Sequence, residues 1–140
     1  MTVEVISIRE PISKVIAGYC GPVLTPEQDQ TFNYCQTLGK VFLGLVDDDF
    51  VCCWGLIPPT FISTQAYLWM WAPEPIKHQL VFIRHSQIQV QDMLKRYDRI
   101  VGHCELRARS AQRWLRWLGA EFTAPDNPKF MPFTIRRKAA

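Results

Sequence analysis

The chain begins with an alternating hydrophobic pattern that changes to a helical one. Val3, Val5 and Ile8 alternate with polar neighbours, which predicts a first strand because side chains point to opposite faces along a strand. From Ile12 to Tyr19, apolar side chains recur three and four residues apart, which predicts a helix. We expect this helix to end at Gly18 and the glycine-proline pair that follows.

A second helix is predicted by its start signals. Thr25 can cap the helix, Pro26 suits its first position, and Gln28 completes a T-x-x-Q capping box. Gly39 ends it. The face expected to be buried carries Phe32, Cys35 and Leu38.

Three strands follow in the predicted order. Val41–Val46 and Phe50–Ile57 form a hairpin around the acidic turn Asp47–Asp49. The turn is either a solvated hairpin tip or a cation ligand, and calcium loops need more ligands at fixed spacing. Ala66–Trp71 is apolar on both faces, which is typical of a central strand covered on each side.

The second half of the chain alternates helices and strands. A long helix is predicted from Ile76 to Tyr97, and a strand at Ile100–Cys104. A short helix closed by Gly119 carries an apolar face of Ala111, Trp114, Leu115 and Leu118, from which Trp117 departs. The periodic positions of the long helix are Ile76, Leu80, Ile83, Val90, Leu94 and Tyr97. Final strands at Phe122 and Phe130–Ile135 give the order β-α-α-β-β-β-α-β-α-β-β, which implies a parallel pair with a crossover helix.

Composition narrows the class of protein. The chain has 140 residues and is 48% hydrophobic, which suits one folded domain over 1–140. The net charge of +3 is mild, so neither nucleic acid nor membrane is an expected partner. No signal peptide is visible, and the five cysteines show no metal or disulfide spacing, which favours reduced thiols, a cytoplasmic location and no metal site. The basic run at 136–138 is either a solvated tail or a partner contact.

The stretch ELRARSAQRWLRWLGAEF, from Glu105 to Phe122, resembles the second conserved block of the GNAT N-acetyltransferases. Ala111 and Gly119 stand at the matching alanine and glycine. The RWLRWLG form, preceded by FIRHSQ at Phe82 to Gln87, is similar to small GNAT-like proteins of podovirus-type tailed bacteriophages. The order of predicted elements is also that of the GNAT family.

The resemblance implies an α/β (α+β) fold with a mixed, mostly antiparallel central sheet, a parallel βαβ section and helices on both faces. It implies an acyl-CoA-dependent N-acyltransferase, encoded by a phage and working in the bacterial cytoplasm, that uses acetyl-CoA to acetylate an amine on a small molecule or host protein. The alternative is a catalytically inactive GNAT-fold binding module that docks on a host protein or belongs to the virion. The chain is expected to be a monomer or homodimer.

The resemblance also implies where the cofactor would bind. Trp69, Met70 and Trp71 on the central strand would line the acyl and pantetheine site, with backbone N–H groups facing the oxyanion. The phosphate loop that follows in the family corresponds here to Ala72–His78, which has two prolines and no glycine. Side-chain cations would replace its backbone donors: Lys77, His78 and Arg84. Each of the three is otherwise a solvent-exposed polar position at a helix start.

Two residues on the next strand are the candidate catalytic bases. His103 and Glu105 stand at its end, where the family accepts a proton from the amine. Glu105 has the alternative of pairing with nearby arginines, and His103 of being an ordinary strand-end histidine. At the position of the family's thiolate-protonating tyrosine the chain has Leu115. Cys104 adjoins His103 but points to the opposite face of a strand, so the two do not form a nucleophilic dyad.

Overall fold

The helices and strands follow one another in the order that the sequence predicts. A computed structural model of the protein describes residues 2–59, 65–73, 76–125 and 127–137. Among these residues the strands are β1 (Val3–Ile8), β2 (Lys40–Val46), β3 (Asp49–Ile57), β4 (Ala66–Trp71), β5 (Arg99–Glu105), β6 (Glu121–Phe122) and β7 (Phe130–Arg136). The helices are α1 (Ile12–Cys20), α2 (Pro26–Leu38), α3 (Gln79–Arg96) and α4 (Arg109–Trp117).

The strands form one sheet in the order β1-β2-β3-β4-β5-β7-β6. Neighbouring strands are antiparallel except β4 and β5, which are parallel and joined through α3. The predicted mixed sheet with one parallel section is therefore confirmed. The parallel pair is short, because only Ala66 and Tyr67 of β4 are in register with β5.

Helices cover both faces of the sheet and create two cores. On one face, Ile12 and Ile16 of α1 pack with Trp69 of β4. On the other face, Phe82 of α3 and Trp114 of α4 pack with the opposite side of β3 and β4. This arrangement explains why β4 is apolar on both faces, since each set of alternate side chains meets a different helical layer.

The start of α2 is as the sequence predicts. The Thr25 side chain accepts a hydrogen bond from the Gln28 backbone N–H, and the Gln28 side chain accepts one from the Thr25 backbone N–H. The glycine-proline pair ends α1 as predicted, since the helix runs to Cys20 and Gly21 follows with a positive φ of 79°. The expectation that Gly18 also belongs to the end is wrong. Gly18 lies inside the helix, and a Cβ added at this position would have no atom within 4 Å.

Two apolar positions assigned to buried faces are exposed instead. Leu38 is 44% exposed and Leu80 is 80% exposed. The predicted start of α3 at Ile76 is also wrong, since Ile76 is buried ahead of the helix, which begins at Gln79. Leu80 therefore lies in the first turn, away from the sheet. The prediction that Trp117 leaves the buried face of α4 is confirmed by its 55% exposure.

The basic run near the C-terminus is not simply a solvated tail. Arg136 belongs to β7 and lies opposite Arg99. Arg137 donates hydrogen bonds to the carbonyl oxygens of Leu94 and Lys95 in the last turns of α3. The third member of the run, at 138, lies outside the described residues. No helix of the described part of the chain has the length and apolar character to cross a membrane.

Candidate active site

The two central parallel strands separate along their length. Beyond Tyr67 in β4 and Val101 in β5, the strands are no longer in register with each other. Gly102 lies at the point of separation, where an added Cβ would be 2.4 Å from the carbonyl oxygen of Leu68. The absence of a side chain therefore lets the two backbones approach there before they diverge. The β5-facing edge of β4 borders the resulting opening.

The α2 side of this opening carries the two candidate bases. Tyr67 on β4 and His103 on β5 share this face, because paired residues of neighbouring strands point the same way. The Tyr67 hydroxyl lies 2.9 Å from Nδ1 of His103, and the ring centroids are 5.9 Å apart. The sequence alone does not indicate that Tyr67 belongs to the site. Its only signal is strand register, which a sequence without a structure does not specify.

Glu105 lies two residues beyond His103 on the same face of β5. Its backbone carbonyl accepts hydrogen bonds from the Gln112 side chain and from the Ala108 N–H, which fixes the end of the strand. Within the described ranges, the Glu105 carboxylate forms no salt bridge with a neighbouring arginine. The structure therefore brings His103 and Glu105 to one end of the opening, as their spacing predicts.

The central strand contributes backbone to the opening more than side chains. Trp69 is only 7% exposed, and its ring stacks on Phe32 of α2 with centroids 5.1 Å apart. Trp71 packs against Phe50. Met70 points to the opposite face, where it lines an apolar cavity of about 40 Å³ between the sheet and α3 and α4. These contacts pack the three side chains against their neighbours, and their part in binding a cofactor stays a prediction.

A groove of about 320 Å³ runs between α3 and α4. Arg84 of α3 and Arg113 of α4 both line it, together with the half-exposed Trp117. The described residues that line it are Gln79, Leu80, Ile83, Arg84, Ser110, Arg113, Trp114 and Trp117. Among the described residues that line the groove there are two guanidinium groups and no carboxylate, an arrangement that attracts anions such as phosphates. The i, i+4 spacing of Arg113 and Trp117 places them on one helical face.

The turn before α3 separates the predicted phosphate ligands. His78 has a left-handed backbone (φ 54°), and its Nε2 lies 3.0 Å from Oδ2 of Asp49 at the start of β3. This hydrogen bond is the main reason that the pKa of the Asp49 carboxyl is below its usual value, with the charge of Lys77 adding to the effect. Lys77 and His78 thus face the β2–β3 hairpin, whereas Arg84 faces the groove. Their role as phosphate ligands stays a prediction.

The buried thiols are poor nucleophiles. Burial raises the pKa of Cys104 to about 11, with the Glu105 charge adding to the rise. Burial likewise raises the pKa of Cys53 to about 12, and that of Cys52 well above its usual value. Since the thiolate is the reactive form, these side chains act as small hydrophobic groups. No group of three or more histidine, cysteine, aspartate or glutamate side chains in the described ranges is arranged to hold a metal ion.

Comparison with known proteins places this architecture in a recognised class. No protein-family model matches the sequence, and no curated protein matches it. Solved structures do match. An acetyltransferase of Bacillus subtilis in complex with CoA has a TM-score of 0.71 and 8% identity, with 98% of this chain and 100% of that chain covered.

Two further structures agree with the first. The N-acetyltransferase PseH of Campylobacter jejuni, in complex with acetyl coenzyme A, gives a TM-score of 0.60 at 9% identity and covers 98% of this chain and 100% of that chain. The GNAT domain of the S. lividans protein PAT gives 0.65 at 8% identity and covers 98% and 92%. The chain therefore has the fold of the GNAT acetyltransferases.

Proposed function

We propose that the protein is an acyl-CoA-dependent N-acyltransferase. The single observation that carries this proposal is the opening between β4 and β5. The arginine-lined groove is on the side of the sheet that α3 and α4 cover, and Tyr67 and His103 are on the other side. We infer that the opening joins the two sides, because the donor and acceptor of a group transfer must meet at one atom while being recognised separately.

The groove fits the nucleotide end of an acyl-CoA. Arg84 and Arg113 provide guanidinium donors for phosphate oxygens. Trp117, exposed over about half of its surface at 55%, offers an aromatic plane on which a purine base can stack. No side chain of the described residues caps the first turn of α3, so its backbone N–H groups add donors at the same end of the groove.

The chain's own residues then have three tasks at the opening. When bound, the thioester supplies an activated acyl carbon that forms a bond to the amine nitrogen as its bond to sulfur breaks. His103 or Glu105 accepts the proton that the amine nitrogen loses. Backbone N–H groups on the β5-facing edge of β4 donate to the developing oxyanion. Leu115 is 1% exposed and has no hydroxyl, so the proton for the leaving thiolate comes from the protonated base or from water.

Calorimetric titration with acetyl-CoA tests the proposal. We expect saturable one-to-one binding by the wild-type protein, and an affinity roughly ten-fold lower in Arg84→Ala, because one charge-assisted contact to phosphate is lost. Arg96→Ala is the matched control, since Arg96 is an exposed arginine of the same helix about 18 Å further along. No heat from a folded wild-type protein, or equal losses in both variants, would contradict the proposal.

The alternative, a GNAT-fold module that docks on a host protein without catalysis, is favoured by a different observation. Leu80 and Trp117 are both exposed beside the groove, and large exposed side chains mark interaction surfaces. The phage origin stays a prediction from the RWLRWLG segment, and the cytoplasmic location stays a prediction from the cysteine pattern and from that resemblance. A tagged wild-type protein that recovers a stoichiometric host protein, which a Leu80→Ser variant loses, and that does not bind acetyl-CoA would favour this alternative.

A further inference from the structure

We propose that the apolar cavity between the sheet, α3 and α4 holds the acyl chain of the donor, and that it selects a neutral aliphatic chain longer than acetyl. Butanoyl is the chain that fits it best. This inference rests on the proposed N-acyltransferase function, because it concerns the donor of that reaction. The observation behind it is a cavity of about 40 Å³ whose described lining comes from β3, β4, α3 and α4.

The cavity adjoins the opening between β4 and β5. Leu68 and Met70 of β4 point to the side of the sheet that α3 and α4 cover, and both line the cavity. Both also follow Tyr67, the last β4 residue in register with β5, so they belong to the part of β4 that borders the opening. An acyl carbon bound at the opening therefore has the cavity beside it, on the same side of the sheet as the arginine-lined groove.

Trp114 connects the cavity to the groove, since its side chain lines both. Along α3, the groove is lined by residues from Gln79 to Arg84, and the cavity by residues from Phe82 to Met93. Together these residues span roughly 21 Å, at a rise of about 1.5 Å per residue. The two sites therefore form a row along the helix, in the order that the phosphate and acyl ends of one elongated ligand require.

The lining decides the chemical class of the chain, because none of the described residues in it is charged. Its two polar side chains have partners within the protein. The Ser86 hydroxyl accepts from the Trp114 indole N–H and donates to the carbonyl oxygen of Ile83, and the amide nitrogen of Gln89 lies 3.3 Å from Nε2 of His85. A carboxylate on the chain would lose its water without gaining a cation. The cavity therefore favours an aliphatic chain over a chain that ends in a carboxylate.

The volume of the cavity sets the length of the chain. Because a water molecule needs about 10–15 Å³ of such space, the cavity of about 40 Å³ holds about three groups of that size. The carbonyl carbon stays at the opening, and three further carbons complete a butanoyl group. An acetyl group would leave most of the cavity empty, although protein interiors contain few voids of this kind. An octanoyl group is too long to enter without displacing side chains.

Calorimetric titration of the wild-type protein with acetyl-, butanoyl-, succinyl- and octanoyl-CoA tests the inference without an acceptor. We expect butanoyl-CoA to bind roughly 15-fold more tightly than acetyl-CoA, because two more methylene groups leave water and each contributes about four-fold. Succinyl-CoA has the same number of acyl carbons as butanoyl-CoA but ends in a carboxylate, and it should bind no better than acetyl-CoA. Octanoyl-CoA should bind no better than butanoyl-CoA.

Three outcomes of this titration would overturn the inference. The first is an equal affinity for acetyl- and butanoyl-CoA, and the second is succinyl-CoA that binds as tightly as butanoyl-CoA. The third is an affinity that continues to rise as far as octanoyl-CoA, because a chain of that length would have to lie outside the cavity.

Variants that change the size of the cavity should shift the preferred chain in opposite directions. Val90 is 6% exposed and lines the cavity from α3, so Val90→Phe should fill the cavity and remove the preference for butanoyl-CoA over acetyl-CoA. Met93→Ala shortens another side chain of the lining, and the enlarged cavity should bind hexanoyl-CoA more tightly than butanoyl-CoA. Val90→Leu adds one carbon instead of a ring and provides the same test on a smaller scale if Val90→Phe does not fold.

Ile88→Phe is the matched control for Val90→Phe. Ile88 is 63% exposed on the same helix and is not among the described residues that line the cavity, so this variant should rank the acyl-CoAs as the wild type does. If the two phenylalanine variants rank them alike, the acyl chain does not occupy the cavity.

The inference and the proposed function fail in different ways. A folded wild-type protein that binds neither CoA nor any of its thioesters refutes the acyltransferase function, and the assignment of the cavity with it. A protein that binds all four thioesters with equal affinity refutes the assignment of the cavity alone. Arg84→Ala should weaken the four by the same factor, because it acts at the phosphate end of the ligand, which they share.

Discussion

The indole N–H of Trp114 donates a hydrogen bond of 2.9 Å to the Ser86 hydroxyl. This contact joins α4 to α3, the two helices that form the walls of the arginine-lined groove. Trp114 is 3% exposed, and its ring meets Phe82 edge to face at 5.8 Å. The Ser86 hydroxyl in turn donates to the carbonyl oxygen of Ile83 at 2.7 Å. A part-buried polar contact therefore joins the two walls of the groove within a mostly apolar layer.

We expect Ser86→Ala to lower the free energy of unfolding by about 1–3 kcal/mol, because it leaves a buried indole N–H without a partner. Urea denaturation followed by tryptophan fluorescence measures the change. In a Trp114→Phe background, where no N–H remains to satisfy, the same substitution should cost much less. Equal costs in the two backgrounds would show that the hydrogen bond is not the source of the effect.

Gly55 allows the close approach of β3 to the Trp69 ring. A Cβ at this position would lie 2.3 Å from Nε1 of Trp69, and that ring is already stacked on Phe32. We expect Gly55→Ala to lower the free energy of unfolding by about 1–3 kcal/mol, because side chains or backbone must shift to make room for the added methyl group. Thermal and urea unfolding give the magnitude.

Gly18→Ala is the matched control for this substitution. Gly18 is inside α1, and an added Cβ would have no atom within 4 Å. Alanine loses less conformational entropy than glycine in a helix, so we expect Gly18→Ala to raise the free energy of unfolding by about 0.5–1 kcal/mol. A stabilised Gly55→Ala or a destabilised Gly18→Ala would contradict the packing described around these glycines.

The hydrogen bond between Asp49 and His78 predicts a loss of stability in acid. The bond holds the pKa of the Asp49 carboxyl below its usual value of 3.8, so the unfolded chain binds more protons between the two pKa values. The stability due to this carboxylate is therefore complete above pH 3.8 and is lost as the pH falls through the lower, folded-state pKa. Urea midpoints across this range should show a shallower acid decline in Asp49→Asn than in Asp48→Asn, which alters the neighbouring turn carboxylate.

Sequence periodicity predicted most of the helices and strands, because each of them depends mainly on residues that are close together in the sequence. The reciprocal capping of α2 by Thr25 and Gln28 depends on residues three apart. The apolar side chains on both faces of Ala66–Trp71 indicate that helices cover both sides of the sheet. Leu80 was misassigned because its spacing fits the helix, whereas its exposure depends on where α3 leaves the sheet.

The candidate site was predicted only in part, because its contacts join distant segments. His103 and Glu105 follow from their place at a strand end, but the partner of His103 is 36 residues away on β4. Likewise, the groove arises from the packing of α3 against α4, so Arg84 and Arg113 are neighbours only after folding. The bond between His78 and Asp49 joins residues 29 apart in the sequence, and it could not be predicted for the same reason.

Arg137 closes the C-terminal end of α3. Its Nε donates to the carbonyl oxygen of Leu94 at 2.6 Å and its Nη2 to that of Lys95 at 3.1 Å, while Nη1 lies 3.2 Å from the Asp98 carboxylate. The last carbonyl groups of a helix have no partner within the helix and carry partial negative charge, so a guanidinium is suited to them. This single side chain therefore joins the end of β7 to the helix that forms one wall of the groove.

We expect Arg137→Gln to lower the free energy of unfolding by about 1–2 kcal/mol, because hydrogen bonds from a charged donor are lost. The loss should be local, so amide hydrogen exchange should accelerate in the last turn of α3 before the rest of the helix. Arg136→Gln changes the adjacent exposed arginine at the end of β7 and should leave both quantities near the wild type. If the two variants behave alike, net charge near the C-terminus accounts for the effect; if only Arg137→Gln opens the helix end, the contacts to Leu94 and Lys95 do.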